Sequence, residues 1–220
     1  MDKKKLIALT ADFVQETLRG AEAGHDWHHV QRVYENAKLI ARGEDVDTFI
    51  VELGALLHDI ADAKFYGGDE SIGPKKAAGF LRSINVEEDI IDHIQNIIKY
   101  VSFKTSLDKG DNSKFESNEL KVIQDADRLD ALGAIGIARA FNYGGYKNRS
   151  LYDPEIPPAV DQDKESYKNS QAPTINHFYE KLLLLKDKMN TQTGRELAQK
   201  RHEFMEAYLN QFYDEWNGIQ

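Results

Sequence analysis

Hydrophobic residues recur along nearly the whole chain at the three- and four-residue steps of an amphipathic helix. The clearest example runs from about His25 to Arg42, where Val30, Val33 and Ala37 share one face. Further helices are predicted over residues 47–60, 74–81, 90–101, 119–132, 133–141, 174–189 and 193–216. No stretch alternates apolar and polar residues over the length of a strand. The pattern therefore predicts an all-α bundle of roughly eight to ten helices.

Several of these segments begin with residues that favour helix initiation. Asp47 and Thr174 are predicted caps, and Pro74 suits a first helical turn. The segment from Asn142 to Pro173 holds four of the five prolines, with several Gly, Asn and Ser residues. We interpret it as a long loop or lid that a bound ligand would order. The alternative, a surface excursion without a role, stays open.

Composition narrows the class of protein. A chain of 220 residues can bury a full core, and we treat residues 1–220 as a single domain with C-terminal helices over 174–216. The absence of cysteine excludes disulfides and thiolate metal sites, and it fits a cytoplasmic protein. A formal charge of -9 argues against a broad surface for nucleic-acid polymers. No apolar run approaches membrane length, and the N-terminal segment reaches Asp12 too soon for a signal peptide, so no membrane partner is expected.

Four residues on three predicted helices offer ligands for a metal ion: His29, the adjacent pair His58 and Asp59, and Asp127. Imidazole nitrogen and carboxylate oxygen together suit a divalent transition ion such as Mn²⁺, Fe²⁺, Co²⁺ or Ni²⁺. Such an ion can activate water and neutralise phosphate charge. The residue types therefore indicate hydrolysis of a phosphate ester or anhydride.

The His58–Asp59 pair follows an apolar stretch in a predicted helix, where a buried polar pair needs partners. On a continuous helix Asp62 would share their face one turn further on, close enough to orient a water molecule and take its proton. The alternative is that His58 caps the helix while both aspartates face solvent.

Three of the seven histidines fall within five residues at the start of a predicted helix. Cationic imidazole is unfavourable at a helix N-terminus, whereas a neutral, metal-bound ring avoids that cost. We therefore take His29 as a ligand and assign His25 to its surroundings or to a phosphate. Around Arg128, Asp127 is the ligand candidate, although an acidic surface helix would show the same local pattern.

The strings HDWHHVQRV (25–33), ALLHDI (55–60) and QDADRLDALGAIGIAR (124–139) resemble the HD-domain metal-dependent phosphohydrolases. They are similar to a subgroup of small, single-domain bacterial members, some of which resemble nucleotide pyrophosphohydrolases. The resemblance implies a helical HD-domain bundle with His29, His58, Asp59 and Asp127 as metal ligands. It places Asp62 where many relatives carry a catalytic acid.

Relatives with two metals carry further histidines between the HD pair and the last aspartate. Only His93 lies in that interval here, and a histidine at the edge of the core would look the same, so one metal is expected. Six residues could contact the substrate, either through their charge or by stacking on a base. They are His25, Lys64, His93, Phe103, Lys104 and Arg128.

These observations lead to one predicted function and several alternatives. We predict hydrolysis of a (deoxy)nucleoside triphosphate to the monophosphate and pyrophosphate, using one transition ion, with Mn²⁺ first and Mg²⁺ at the substrate phosphates. A 5′-nucleotidase is the first alternative. An alarmone hydrolase is the second, although those relatives pair two acidic residues where Asp62 is followed by alanine. A helical binding protein with a structural metal is the non-enzymatic alternative. A nucleotide is the expected partner, and a homodimer is compatible with the pattern.

Overall fold

The computed structural model describes residues 2–20, 26–61, 69–101, 115–159 and 171–219. Within these ranges the chain forms nine α-helices and one 3₁₀ helix, with no strand. The helices are α1 (Lys3–Thr17), α2 (Trp27–Ala41), α3 (Thr48–Leu57), α4 (Ile72–Ser83), α5 (Glu88–Val101), α6 (Asn118–Asp130), α7 (Gly133–Tyr146), α8 (Asn176–Glu180), the 3₁₀ helix η1 (Leu182–Lys188) and α9 (Gln192–Trp216). The predicted all-α fold class is confirmed.

Polar caps fix where two of the site-bearing helices begin. The Asp26 carboxylate accepts a hydrogen bond from the His29 amide at 2.8 Å, which starts α2. The Asp47 carboxylate accepts one from the Phe49 amide at 2.8 Å, as the sequence predicted for α3. An N-cap satisfies amide groups that have no partner within the helix.

The chain divides into two compact units. The first comprises Met1–Asp127 and Asn190–Thr193, and the second comprises Arg128–Met189 and Gly194–Gln220. In the first unit, α1 to α5 contribute a continuous apolar core. In the second, aromatic rings pack together, with Phe178 stacked on Tyr208 at a centroid distance of 6.2 Å. No helix in the described ranges is long and apolar enough to span a membrane.

Helix α1 was not predicted from the sequence. Its buried positions Leu6, Thr10 and Val14 repeat every four residues. Thr10 is accommodated because its hydroxyl donates a hydrogen bond to the Leu6 carbonyl at 2.8 Å. The lysines at residues 3–5 are exposed, which left only a short apolar signal after them.

The predicted boundary of the long loop was wrong at its start, because α7 continues through Asn142 to Tyr146. The two glycines near this end argued against a helix. However, Gly144 is buried where a Cβ atom would collide with the Thr174 side chain, so the close approach requires glycine. Residues 160–170 lie outside the described ranges, and the lid stays a prediction.

The helix predicted over residues 174–189 is broken in the structure. Ile175, rather than Thr174, is the N-cap residue of the five-residue α8, and the chain then turns into η1. The break falls at Lys181, whose φ of -145° and ψ of -56° are not helical. The apolar periodicity continues through the break because Leu182 and Leu185 are both buried.

Candidate metal centre

Three helices of the first unit bring four predicted ligands together. His29 lies in the first turn of α2, His58 and Asp59 follow the last residue of α3, and Asp127 lies in α6. One ligand atom from each of His29, His58 and Asp59 lies within 4.8 Å of the other two. His29 Nε2 lies 3.7 Å from Asp59 Oδ2 and 3.4 Å from Asp127 Oδ1. His29, His58 and Asp59 therefore form one cluster, and Asp127 adjoins it through His29.

Helix α3 ends at Leu57, so His58 occupies the C-cap position and the HD pair lies in the turn that follows. The interpretation that placed the pair inside a helix was wrong in this respect. A hydrogen bond from the Ile60 amide to the Leu57 carbonyl, at 3.2 Å, closes the turn. Because regular helix geometry stops here, it gives no support for placing Asp62 on the same face as His58.

The His58 ring is oriented as a metal ligand requires. Its Nδ1 lies 2.8 Å from the Ala55 carbonyl, which can only accept, so Nδ1 carries a proton and Nε2 is the ring nitrogen left to bind a metal. The Nε2 atom is buried and has no hydrogen-bond partner in the structure. It lies 3.9 Å from Asp59 Oδ2. Metal-bound histidines commonly donate their second ring nitrogen to a backbone carbonyl in this way.

A buried polar atom without a partner is costly, and a metal ion at this place would remove that cost. An ion bound to nitrogen and oxygen at about 2.1 Å holds neighbouring ligand atoms roughly 3–4 Å apart. Asp59 Oδ2 lies 3.7 Å from His29 Nε2 and 3.9 Å from His58 Nε2, and Asp127 Oδ1 lies 3.4 Å from His29 Nε2. The His29 ring is buried, at 2% exposure, and its centroid lies 5.5 Å from that of His58. The donor set of His29, His58 and Asp59 therefore fits a divalent ion, and Asp127, which adjoins it through His29, stays the predicted fourth ligand.

The carboxylates give the site a solvent-facing side. The exposed fraction of the side chain is 25% for Asp59 and 44% for Asp127, against 2% for His58. A metal centre that catalyses hydrolysis needs a coordination position open to water or substrate, whereas a structural centre is closed. The contrast between buried imidazoles and exposed carboxylates favours the open arrangement.

Two of the predicted substrate-contact residues have other partners in the structure. His93 Nε2 lies 3.0 Å from the Ser117 hydroxyl oxygen and 3.5 Å from Glu119 Oε2. In the second unit, the Arg128 guanidinium donates to the Lys188 carbonyl at 2.9 Å. His93 is not part of the His–Asp cluster found in the described ranges. Their roles in substrate binding stay predictions, as do those of residues outside the described ranges, namely His25, Asp62, Lys64, Phe103 and Lys104.

Two structural roles in the acidic string around Asp127 were missed. Asp125 is fully buried and accepts hydrogen bonds from Asn190 and Thr191. Asp130 is also buried and pairs with the Arg139 guanidinium in the second unit. The spacing in the sequence could have revealed the separate role of Asp125. On a helix, Asp125 lies about 200° around from Asp127, so the two carboxylates cannot serve the same site.

Comparison with known proteins agrees with this geometry. The HD domain family model matches residues 26–132. The chain is 40% identical over 208 residues to the uncharacterized protein YpgQ of Bacillus subtilis, covering 94% of this chain and 92% of that protein. The chain belongs to the HD family. The matched residues include all four of the converging side chains.

Solved structures of HD proteins share the fold over nearly the full length. An HD-superfamily hydrolase from Bacillus thuringiensis is 42% identical, with a TM-score of 0.78, covering 98% of this chain and 99% of that one. A structure of B. subtilis YpgQ in complex with ADP is 37% identical, with a TM-score of 0.72, covering 98% and 97%. The chain is therefore an HD-superfamily hydrolase with a candidate His–Asp metal site.

Proposed function

We propose that this HD protein is a metal-dependent phosphohydrolase that converts (deoxy)nucleoside triphosphates to the monophosphate and pyrophosphate. The observation that carries the proposal is the convergence of two buried imidazoles and two more exposed carboxylates, with the His58 Nε2 lone pair directed into the cluster. That donor set belongs to transition ions rather than to Ca²⁺ or Mg²⁺, and Mn²⁺ is our first choice.

The ligand residues would hold the ion in distinct ways. His29 and His58 would donate imidazole nitrogens from side chains held in place by burial, and the Ala55 carbonyl orients the His58 ring. Asp59 and Asp127 contribute negative charge on the side open to solvent. When bound, a divalent ion lowers the pKa of coordinated water and neutralises charge on a phosphate. Asp62 is our candidate for the general base that removes a proton from the attacking water.

A nucleotide substrate is supported by a relative and by the chemistry of the centre. YpgQ, which resembles this chain over nearly its whole length, has been crystallised with ADP. ADP carries the α–β phosphoanhydride that the proposed reaction breaks in a triphosphate. In this reaction water attacks the α phosphorus, the α–β bridging bond breaks, and pyrophosphate leaves with its electron pair.

Two other reactions are compatible with the same metal site. Removal of a 5′-phosphate from a mononucleotide would use the same ion and water with a different placement of the base and sugar. Hydrolysis of an alarmone would use a pyrophosphate attached at the ribose. A metal that is only structural is opposed by the exposure of Asp59 and Asp127.

The test is to incubate Mn²⁺-loaded protein with a panel of nucleoside mono-, di- and triphosphates and identify products by mass spectrometry. Pyrophosphate with a nucleoside monophosphate is the expected result. The matched control is His58→Gln, which should release nothing above background. Orthophosphate alone would point to a nucleotidase, and no turnover of any phosphate compound by Mn²⁺-loaded wild-type protein would contradict the proposal.

A further inference from the structure

Asp125 has a buried position that the proposed chemistry does not use. Its carboxylate is fully buried on α6, two residues before Asp127. The Asn190 amide donates to Oδ1 at 2.9 Å and to Oδ2 at 3.0 Å, and the Asn190 side-chain amide donates to Oδ1 at 3.1 Å. The Thr191 amide and hydroxyl donate to Oδ2 at 2.7 Å and 2.8 Å. Both oxygens of this carboxylate are thus engaged by one short segment.

That segment, Asn190–Thr193, is also bound by the loop after α2. The Thr193 amide donates to Glu44 Oε1 at 2.9 Å. Gly43 approaches Thr193 so closely that a Cβ atom at Gly43 would collide with the threonine hydroxyl. Because Asp125 is on α6 and Glu44 follows α2, the segment ties these two helices together.

The helices joined in this way are those that carry His29 and Asp127, whose ligand atoms are 3.4 Å apart. A direct link supports the same alignment, since the Asn36 side-chain amide of α2 donates to the Ala126 carbonyl of α6 at 3.3 Å. Asp125 and Asp127 leave α6 on opposite sides, being about 200° apart around the helix. The Asp125 contacts therefore fix the rotation and height of α6 from the side away from the candidate metal centre.

We propose that Asp125 is a positioning residue, which sets the Asp127 carboxylate against His29 by anchoring α6 to Asn190–Thr193. The inference rests on the proposed metal centre. It predicts that loss of the anchor weakens metal binding without removing any ligand. Substitution of groups that orient metal ligands typically costs about 10–100-fold in metal affinity or activity.

The experiment measures Mn²⁺ affinity by calorimetry for full-length Asp125→Asn and for the matched pair Thr191→Val and Thr191→Ser. The expected result is a loss of about 10-fold or more for Asp125→Asn. A smaller loss is expected for Thr191→Val, which keeps the shape but lacks the hydroxyl, and wild-type affinity for Thr191→Ser. Val14→Ala, a core substitution in α1, controls for general destabilisation and should lower the melting temperature while leaving Mn²⁺ affinity unchanged.

The readouts separate this inference from the proposed reaction. If wild-type protein binds Mn²⁺ but hydrolyses no nucleotide, the proposed function fails while the affinity series still decides the role of Asp125. Wild-type affinity in both Asp125→Asn and Thr191→Val would overturn the inference, as would an equal loss in Val14→Ala. If Asp125→Asn does not fold, the Thr191 pair gives the answer. A wild-type protein that binds no Mn²⁺ contradicts both proposals.

Discussion

Two histidine–carboxylate clusters in the first unit resemble each other in composition and differ in what their donors do. The candidate metal centre joins His29, His58, Asp59 and Asp127. The second cluster joins His93 to Ser117 and Glu119 near the start of α6. Both combine imidazole with carboxylate at distances below 4 Å, so proximity alone does not distinguish a metal site from a structural contact.

The two clusters differ in whether the protein supplies hydrogen-bond partners for the side-chain atoms that could bind a metal. In the second cluster, Glu119 Oε1 accepts from the Asp47 amide at 3.1 Å, and the Ser117 hydroxyl accepts from the Leu120 amide at 3.0 Å while contacting His93. In the first, His58 Nε2 is buried without any hydrogen-bond partner. A buried side-chain atom that the protein leaves without a hydrogen-bond partner is the better sign of a bound ion.

The largest expected effect separates the two clusters directly. His58→Gln should lower kcat/KM for triphosphate hydrolysis by about 10⁴-fold or more, because a metal Lewis acid contributes several kcal/mol to the transition state. His93→Gln should keep the ion and lose far less activity, since it removes no metal ligand and the partners of His93 lie at the start of α6. Pyrophosphate release measures both. Equal loss in the two variants would remove the distinction between the clusters.

The next effect tests chemistry apart from metal binding. Asp62→Asn should reduce turnover by about 10²–10⁴-fold, the usual loss for a general base, while keeping the ion. The amide has nearly the same shape but cannot take the proton. Steady-state kinetics and metal content are measured on the same sample. Wild-type turnover at neutral pH would mean that another group is the base.

The next prediction concerns His177 in the second unit, which should make the free energy of unfolding depend on pH. Burial lowers the pKa of His177 to about 4, with the nearby cations Lys181 and Arg149 acting in the same direction. The unfolded ring takes up a proton near pH 6.5, whereas the folded ring stays neutral until about pH 4. The free energy of unfolding therefore falls as the pH drops through this window, and the full contribution is present above it.

Between pH 7 and pH 4.5, we expect the free energy of unfolding to fall by about 1–3 kcal/mol less in His177→Gln than in wild type, allowing for partial solvent screening. Urea unfolding at pH 7 and pH 4.5 in the presence of a chelator gives the difference. Identical pH dependence in wild type and His177→Gln would contradict the assignment.

The smallest expected effect concerns the hydrogen bond between the Tyr34 hydroxyl and the Glu52 carboxylate. The Tyr34 hydroxyl donates to Glu52 Oε2 at 2.5 Å and links α2 to α3. Burial and this acidic partner raise the pKa of Tyr34, so the phenol remains a donor. Tyr34→Phe should reduce the free energy of unfolding by about 1 kcal/mol, with Mn²⁺ affinity unchanged. A clear loss of affinity would show that this link, too, positions the ligands.

The structural features that could be predicted from the sequence are those determined by residues close together in the chain. The apolar spacing of α2, α5 and α9 and the Asp47 cap were predicted because periodicity and capping act within a few residues. Residue types and the HD resemblance predicted the four side chains that the structure brings together. The burial of Asp125 was not predicted, because its partners lie 65 and 66 positions away in the chain.

The remaining errors have physical causes of the same kind. Helix α7 continues through glycine-rich sequence because Gly144 packs against Thr174, a contact that helix propensity cannot reveal. The end of α3 at Leu57 was missed because the apolar pattern continues to the buried Ile60. In both cases the pattern of residue types along the chain did not show where the helix ends.

Metal stoichiometry tests the central claim most directly. Each protein is loaded with Mn²⁺, passed through a desalting column and analysed for manganese and protein. The account predicts about one ion per chain for wild type and His93→Gln, and little for folded His58→Gln and Asp127→Ala, because each of the latter removes a ligand of the only expected site. Full occupancy in folded His58→Gln or Asp127→Ala would contradict the proposed centre.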